Sequence, residues 1–117
     1  MPPTSVSCRH EADRIVATLL LRRVTGDPSE DGLWHSLSAL VTPDDARTLV
    51  IDAGQVQHFS SAALGRLVTL AKHCRDCRSR VVVRNLCPSL QSVFRLLRLE
   101  AVLEIEPGER SEGGFSQ

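Results

Sequence analysis

Tyrosine is absent from the 117 residues, and one tryptophan and three phenylalanines make up the rest of the aromatic class. Proteins that hold single-stranded nucleic acid stack bases on aromatic rings, so that class is excluded for want of platforms. An excess of either charge is also missing. Fourteen basic side chains balance fourteen acidic ones, giving a formal net charge of zero and a pI near 6.9. Bulk electrostatics therefore offers no grip on nucleic acid or an anionic membrane, and neither is expected as a partner. Long apolar runs are lacking as well. The densest, Ile15 to Leu21, falls far short of the ~20 residues that cross a bilayer, and no basic segment followed by an apolar one opens the chain. A cytoplasmic protein is expected. Cysteine is sparse, and Cys8, Cys74, Cys77 and Cys87 occur in a chain whose 42% hydrophobic content makes a disulfide scaffold unnecessary. Reduced thiols are expected.

What is present reads as one α/β domain over residues 5–106, between loose tails at 1–4 and 107–117 that are rich in Pro, Gly, Ser and Glu. Val6 to His10 and Arg14 to Leu21 form a hairpin through Glu11 to Asp13, the second strand being rich in branched apolar residues. Pro28, Ser29, Glu30 and Asp31 start a helix in which Leu33, Trp34, Leu37, Leu40 and Val41 recur at helical spacing until Pro43. Thr48 to Asp52 is a near-continuous apolar run, the pattern of a central strand covered on both faces. Ser61 to Arg78 is the most regular helix, with Leu64, Leu67, Val68, Ala71 and Cys74 along one face. Arg80 to Arg84 is a strand, Pro88 opens a helix carrying Leu90, Val93, Phe94 and Leu97, and Val102 to Ile105 is a last strand. Strand and helix alternate after the hairpin, so a mixed sheet packed against helices is expected.

The stretch from Leu49 to Ile105 contains Ile51-Asp52 at a strand end, an approach from Val56 to Phe59, then Ser60-Ser61-Ala62-Ala63-Leu64-Gly65 at a helix start. A second strand end, Val83-Arg84-Asn85-Leu86, follows, and Val93 to Ile105 closes the stretch. This order resembles the STAS domain of bacterial anti-sigma factor antagonists. The resemblance implies a non-enzymatic regulator without cofactor or metal. Its phosphoacceptor would be Ser61, its partner an anti-sigma factor that is also a serine protein kinase, and a cognate phosphatase would reset it. Unphosphorylated, it would bind the anti-sigma factor and free a sigma factor. Ser60, Ser61, Ala62, Ala63, Gly65 and Arg66 are the expected partner contacts, and Asp52 and Asn85 the structural residues at the strand ends. The sequence departs from the family motif: Ser60 replaces an Asp, Ala62 a Ser or Thr, and Ala63 a Gly, which makes the turn into the helix less permissive. The alternative keeps the fold as a constitutive scaffold or ligand-sensing module that is not phosphorylated.

Physical chemistry gives Ser61 a role beside the resemblance. The start of a helix has unpaired N–H groups and the positive end of the dipole, so an added phosphate is tolerated there by its own chain. The plain reading of Ser60-Ser61 is a helix cap, and capping is compatible with switching. Cys74 and Cys77 have a Cys-x-x-Cys spacing but lie at a helix end and have no second such pair, so packing is expected rather than redox or metal chemistry. His10, His35, His58 and His73 show no ligand spacing. Lys72, Arg75, Arg78, Arg80 and Arg84 gather near a helix end, where cations offset the dipole; with Arg66, that helix's outer face would suit an acidic partner.

Overall fold

The computed structural model describes residues 5–44 and 47–106; the two expected tails lie outside them. Strand β1 (Val6–Glu11) turns through Ala12 and Asp13 into β2 (Arg14–Leu19), antiparallel, with His10 opposite Ile15 and Glu11 opposite Arg14. Ala12 takes φ 53°, the left-handed value that so tight a hairpin turn favours. The chain then leaves the sheet, ending β2 before the expected Leu21, and forms the short β3 (Arg23–Val24). A 3-10 turn over Pro28–Glu30 leads into α1 (Asp31–Ala39). Asp27 caps this turn by accepting from the Ser29 amide, and proline near the start sacrifices no hydrogen bond.

Strand β4 (Thr48–Asp52) is followed by β5 (His58–Phe59), which pairs in parallel with β3 as a separate ribbon. Helix α2 (Ser61–Asp76), strand β6 (Val81–Arg84), helix α3 (Pro88–Leu96) and strand β7 (Glu104–Glu106) complete the chain. The main sheet runs β1-β2-β4-β6-β7, antiparallel only at the hairpin. The expected central strand is indeed the middle one: Leu49, Val50 and Ile51 are all buried.

Each parallel crossover steps the same way across the sheet, so the right-handed rule sets α1, α2 and α3 on one face. Buried residues divide accordingly. Ile15, Ala17, Leu49, Ile51, Val81 and Val83 join the helices in the main core, whereas Val16, Val50 and Val82 form a separate row on the other face. Arg14 and Glu106, whose side chains lie on that other face, approach to 3.6 Å. In the core, Phe94 meets Phe59 edge to face at 5.7 Å.

Other details differ from expectation, and α1 ends at Ala39 rather than running on through Leu40 and Val41. Helix α2 stops at Asp76 because Arg78 is left-handed, with φ 61°. Strand β7 starts at Glu104 because the amides of Val102 and Leu103 bond back to Leu99 O in a 3-10 turn. On α3 only Leu90 and Phe94 are buried, while Val93 and Leu97 face water.

Candidate functional site

The C-terminal ends of β4 and β6 converge on Asp52. Its Oδ1 accepts from the Gly54 amide at 2.9 Å and from Asn85 Nδ2 at 3.1 Å, and its Oδ2 lies 3.6 Å from Arg84 Nε. Asn85 follows β6 with φ 64°, a conformation that asparagine tolerates better than most residues. Asp52 and Asn85 are thus brought together, tying two strand ends and the loop that leads toward α2.

Ser60 and Ser61 divide the work at the start of α2. Ser60 is the cap: its extended backbone (φ −76°, ψ 167°) precedes the helix, its Oγ accepts from the Ala63 amide at 3.1 Å, and its hydroxyl donates to Thr25 O at 2.5 Å. A short polar side chain is what this position needs, which explains how serine can stand in place of an aspartate. Ser61 is the first helical residue, exposed, and its hydroxyl makes no hydrogen bond among the described residues. Ala62 and Gly65 are exposed beside it.

Two expected partner contacts are placed otherwise. Ala63 has 0% exposure; it lies within the first turn of α2, has no positive φ, and needs no glycine-like freedom. Arg66 is committed inside the fold: its Nε donates to Gly26 O at 3.3 Å and its guanidinium pairs with Asp31. Ala63 therefore presents no surface, while Arg66 keeps about a third of its side chain exposed beside the exposed Asp31.

Sequence reasoning missed the segment that frames α2. Gly26 has φ +73°, and a Cβ there would come within 2.5 Å of the Ala63 nitrogen. Glu30 holds this segment: its carboxylate accepts from the amides of Thr25 and Gly26, each at 2.7 Å, from Thr25 Oγ1 at 2.9 Å and from Trp34 Nε1 at 3.3 Å. Burial alone would raise the Glu30 pKa, but these hydrogen bonds outweigh it and hold the carboxyl below its ordinary range. Hydrogen bonds from Ser29 and Thr25 likewise lower Asp27. The acidic run after Pro28 was the available signal, and it pointed only to a helix start.

Cys74 and Cys77 are buried, with Cys77 Sγ 3.9 Å from both Val41 O and His73 Nε2. Burial, with the neighbouring Cys77 adding to it, pushes the Cys74 thiol up to about 11. Among the described residues no group of three or more His, Cys, Asp or Glu side chains converges as metal ligands, and no helix is long and apolar enough to cross a membrane. The thiols are testable. In the native protein an alkylating reagent should label the exposed Cys8 while sparing Cys74 and Cys77, whose labelling should be at least ~100-fold slower until denaturant is added. Prompt native labelling of Cys74 would restore the redox reading.

The family model described as "Mlab, STAS domain" matches residues 12–104, so the chain belongs to the STAS domain family. No curated protein matches it by sequence. Among solved structures, a STAS domain protein from Planctomyces limnophilus described as an anti-sigma-factor antagonist superposes with TM-score 0.73 at 17% identity, covering 92% of each chain. The anti-sigma factor antagonist SpoIIAA in its unphosphorylated form gives TM-score 0.67 at 11% identity, covering 92% of this chain and 93% of that one. The phosphorylated form of SpoIIAA, described as a Bacillus cell fate determinant, gives 0.66 at 13% identity, covering 92% and 95%. The chain is a STAS domain that resembles anti-sigma factor antagonists.

Proposed function

We propose that this domain is a cytoplasmic anti-sigma factor antagonist working by partner switching, with Ser61 as its phosphoacceptor. Unphosphorylated, it binds an anti-sigma factor of the serine-kinase type and so frees a sigma factor; phosphorylation ends that binding and a phosphatase restores it. The observation that carries the reading is the division between the two serines. The Ser60 hydroxyl is engaged on both sides, whereas that of Ser61 is exposed and makes no hydrogen bond among the described residues, so Ser61 is the one a kinase can reach. A phosphate adds about −1.5 to −2 charges on a face suited to a neutral hydroxyl. Coupling of ~1 to 3 kcal/mol would shift affinity ~5- to 150-fold, enough to move a shared partner between two clients.

Affinity capture from native lysate with wild type, Ser61→Ala and Ser61→Asp tests this. An ATP-binding kinase retained by the first two and lost with Ser61→Asp is expected. If all three retain the same proteins, the domain acts as a constitutive scaffold or ligand module and Ser61 is only a helix residue.

Gly65 supplies a second check. It stands exposed inside α2, and a Cβ there would meet nothing within 4 Å. Glycine in a helix interior costs about 0.5–1 kcal/mol relative to alanine, and nothing inside the fold requires it. Gly65→Ala should therefore raise the melting temperature by a few degrees while weakening capture of the kinase, because the methyl group stands where the partner's backbone comes close. A variant that is more stable and binds as well as wild type would remove Gly65 from the interface.

A further inference from the structure

Three large apolar side chains on α3 and its cap face water: Leu96 is 81% exposed, Leu97 53% and Val93 36%. Their spacing of three and four residues makes them one stripe. The direction of that stripe follows from α2. There, Arg66 and His73 each precede a core residue, Leu67 and Cys74, and each reaches the α1 side, Arg66 to Asp31 and His73 to the carbonyls of Ser38 and Val41. Arg75, which follows Cys74, goes the other way and helps line a cleft of about 310 Å³ with Leu103 and Glu104.

Helix α3 runs parallel to α2 on the same face of the sheet, so the same rotation applies. Val93 precedes the core residue Phe94 and therefore points toward α2, as does Leu97 one turn on. The flank of α2 that it faces carries Val68, with Gly65 and Ser61 three and seven residues earlier on the same stripe. Helix α2 approaches α1 more closely than it does α3, and Val93, on the flank of α3 turned toward α2, keeps 36% exposure, so solvent reaches the space between the two helices. Its two walls are the small-residue face around Ser61 and the apolar stripe.

The Ser61 end alone is a poor anchor. A stable protein contact buries roughly 800 Å² per partner around a few large, well-buried side chains, and Ser61, Ala62 and Gly65 supply none. The stripe on α3 does. We infer that the docking face read through Ser61 continues across the α2–α3 groove onto Val93, Leu96 and Leu97, and that the same partner covers both walls with an apolar helical ridge. This inference rests on the reading of the Ser61 face as a protein-docking surface.

Photoreactive amino acids placed singly at positions 65, 96 and 9 in the full chain, the last on the far edge strand β1, test it in living cells. Positions 65 and 96 should crosslink one and the same protein, and position 9 should not. Purified Leu96→Ser and Leu97→Ser should then bind that protein at least ~10-fold more weakly, with unchanged melting temperature since both side chains are exposed. A crosslink from position 65 without one from position 96 overturns the extension and leaves the Ser61 face standing. A crosslink from position 96 to a second copy of this chain overturns it too. Crosslinks from neither position remove the Ser61 face and the extension together. If both positions capture the same protein and Ser61→Asp leaves that crosslink intact, the shared face holds and the phosphorylation switch fails.

Discussion

Gly26→Ala is expected to destabilise the domain by about 2–5 kcal/mol, a large part of the ~5–15 kcal/mol that holds a domain of this size together. Two separate penalties combine. At φ +73° an alanine is held in the left-handed region at a cost of about 1–2 kcal/mol. Its methyl carbon would also stand 2.5 Å from the Ala63 nitrogen and 2.6 Å from the Ala62 carbonyl carbon, and these are backbone atoms of α2 that no rotamer change can move aside. Overpacking of that kind adds about 1–3 kcal/mol. Gly32→Ala is the natural control. Gly32 lies in α1, and a Cβ there meets nothing within 4 Å, so the same substitution should stabilise slightly. Denaturant unfolding of both variants checks the prediction, and a Gly26→Ala midpoint equal to wild type would show that the segment yields freely. Because the crowded atoms belong to the first turn of α2, the residual folded protein should also bind the proposed anti-sigma partner less well.

How far the sequence discloses this arrangement depends on the range over which each feature is encoded. The central strand was legible because both its faces are buried and Leu49, Val50 and Ile51 are therefore apolar without alternation. Helix α2 was legible because its core residues repeat at helical spacing over many turns. Ribbon β3–β5 was not, since strands of two residues are too short for any period to show. On α3 spacing grouped Leu90, Val93, Phe94 and Leu97, but periodicity defines an apolar face without saying how much of it is covered, and only Leu90 and Phe94 are buried. The helix start at Ser61 was legible through its neighbours in sequence, whereas the framing of α2 was not, because it joins the Thr25–Gly26 segment to Ser60 and Arg66 across more than thirty residues. Ala63 looked like a departure from a glycine-requiring turn. In the structure the conformational freedom is needed at Gly26, on the opposing segment.

The second large effect concerns the group that holds that segment. Glu30→Gln should cost about 1–3 kcal/mol at neutral pH, by a mechanism that shape alone cannot imitate. The carboxylate presents two oxygens to four donors: Oε2 takes the amide and hydroxyl of Thr25, and Oε1 takes the Gly26 amide and the Trp34 indole. Glutamine offers one oxygen, so its NH₂ must face one pair of donors and leave at least one backbone amide unpaired. The effect should depend on pH with a definite sign. Because the folded carboxyl is held below its ordinary value of 4.5, its contribution is complete above that value and is lost as pH falls through the lower folded value. Unfolding free energies of wild type and Glu30→Gln should therefore differ most near pH 7 and converge toward pH 3. A gap that stays constant over that range would mean that the charge on Glu30 is not what secures the loop. If the gap closes as expected, the consequence reaches the serine pair. Thr25 O, which receives the Ser60 hydroxyl, is carried by the residue that Glu30 clamps, so loosening one releases the cap that keeps Ser60 occupied and Ser61 presented.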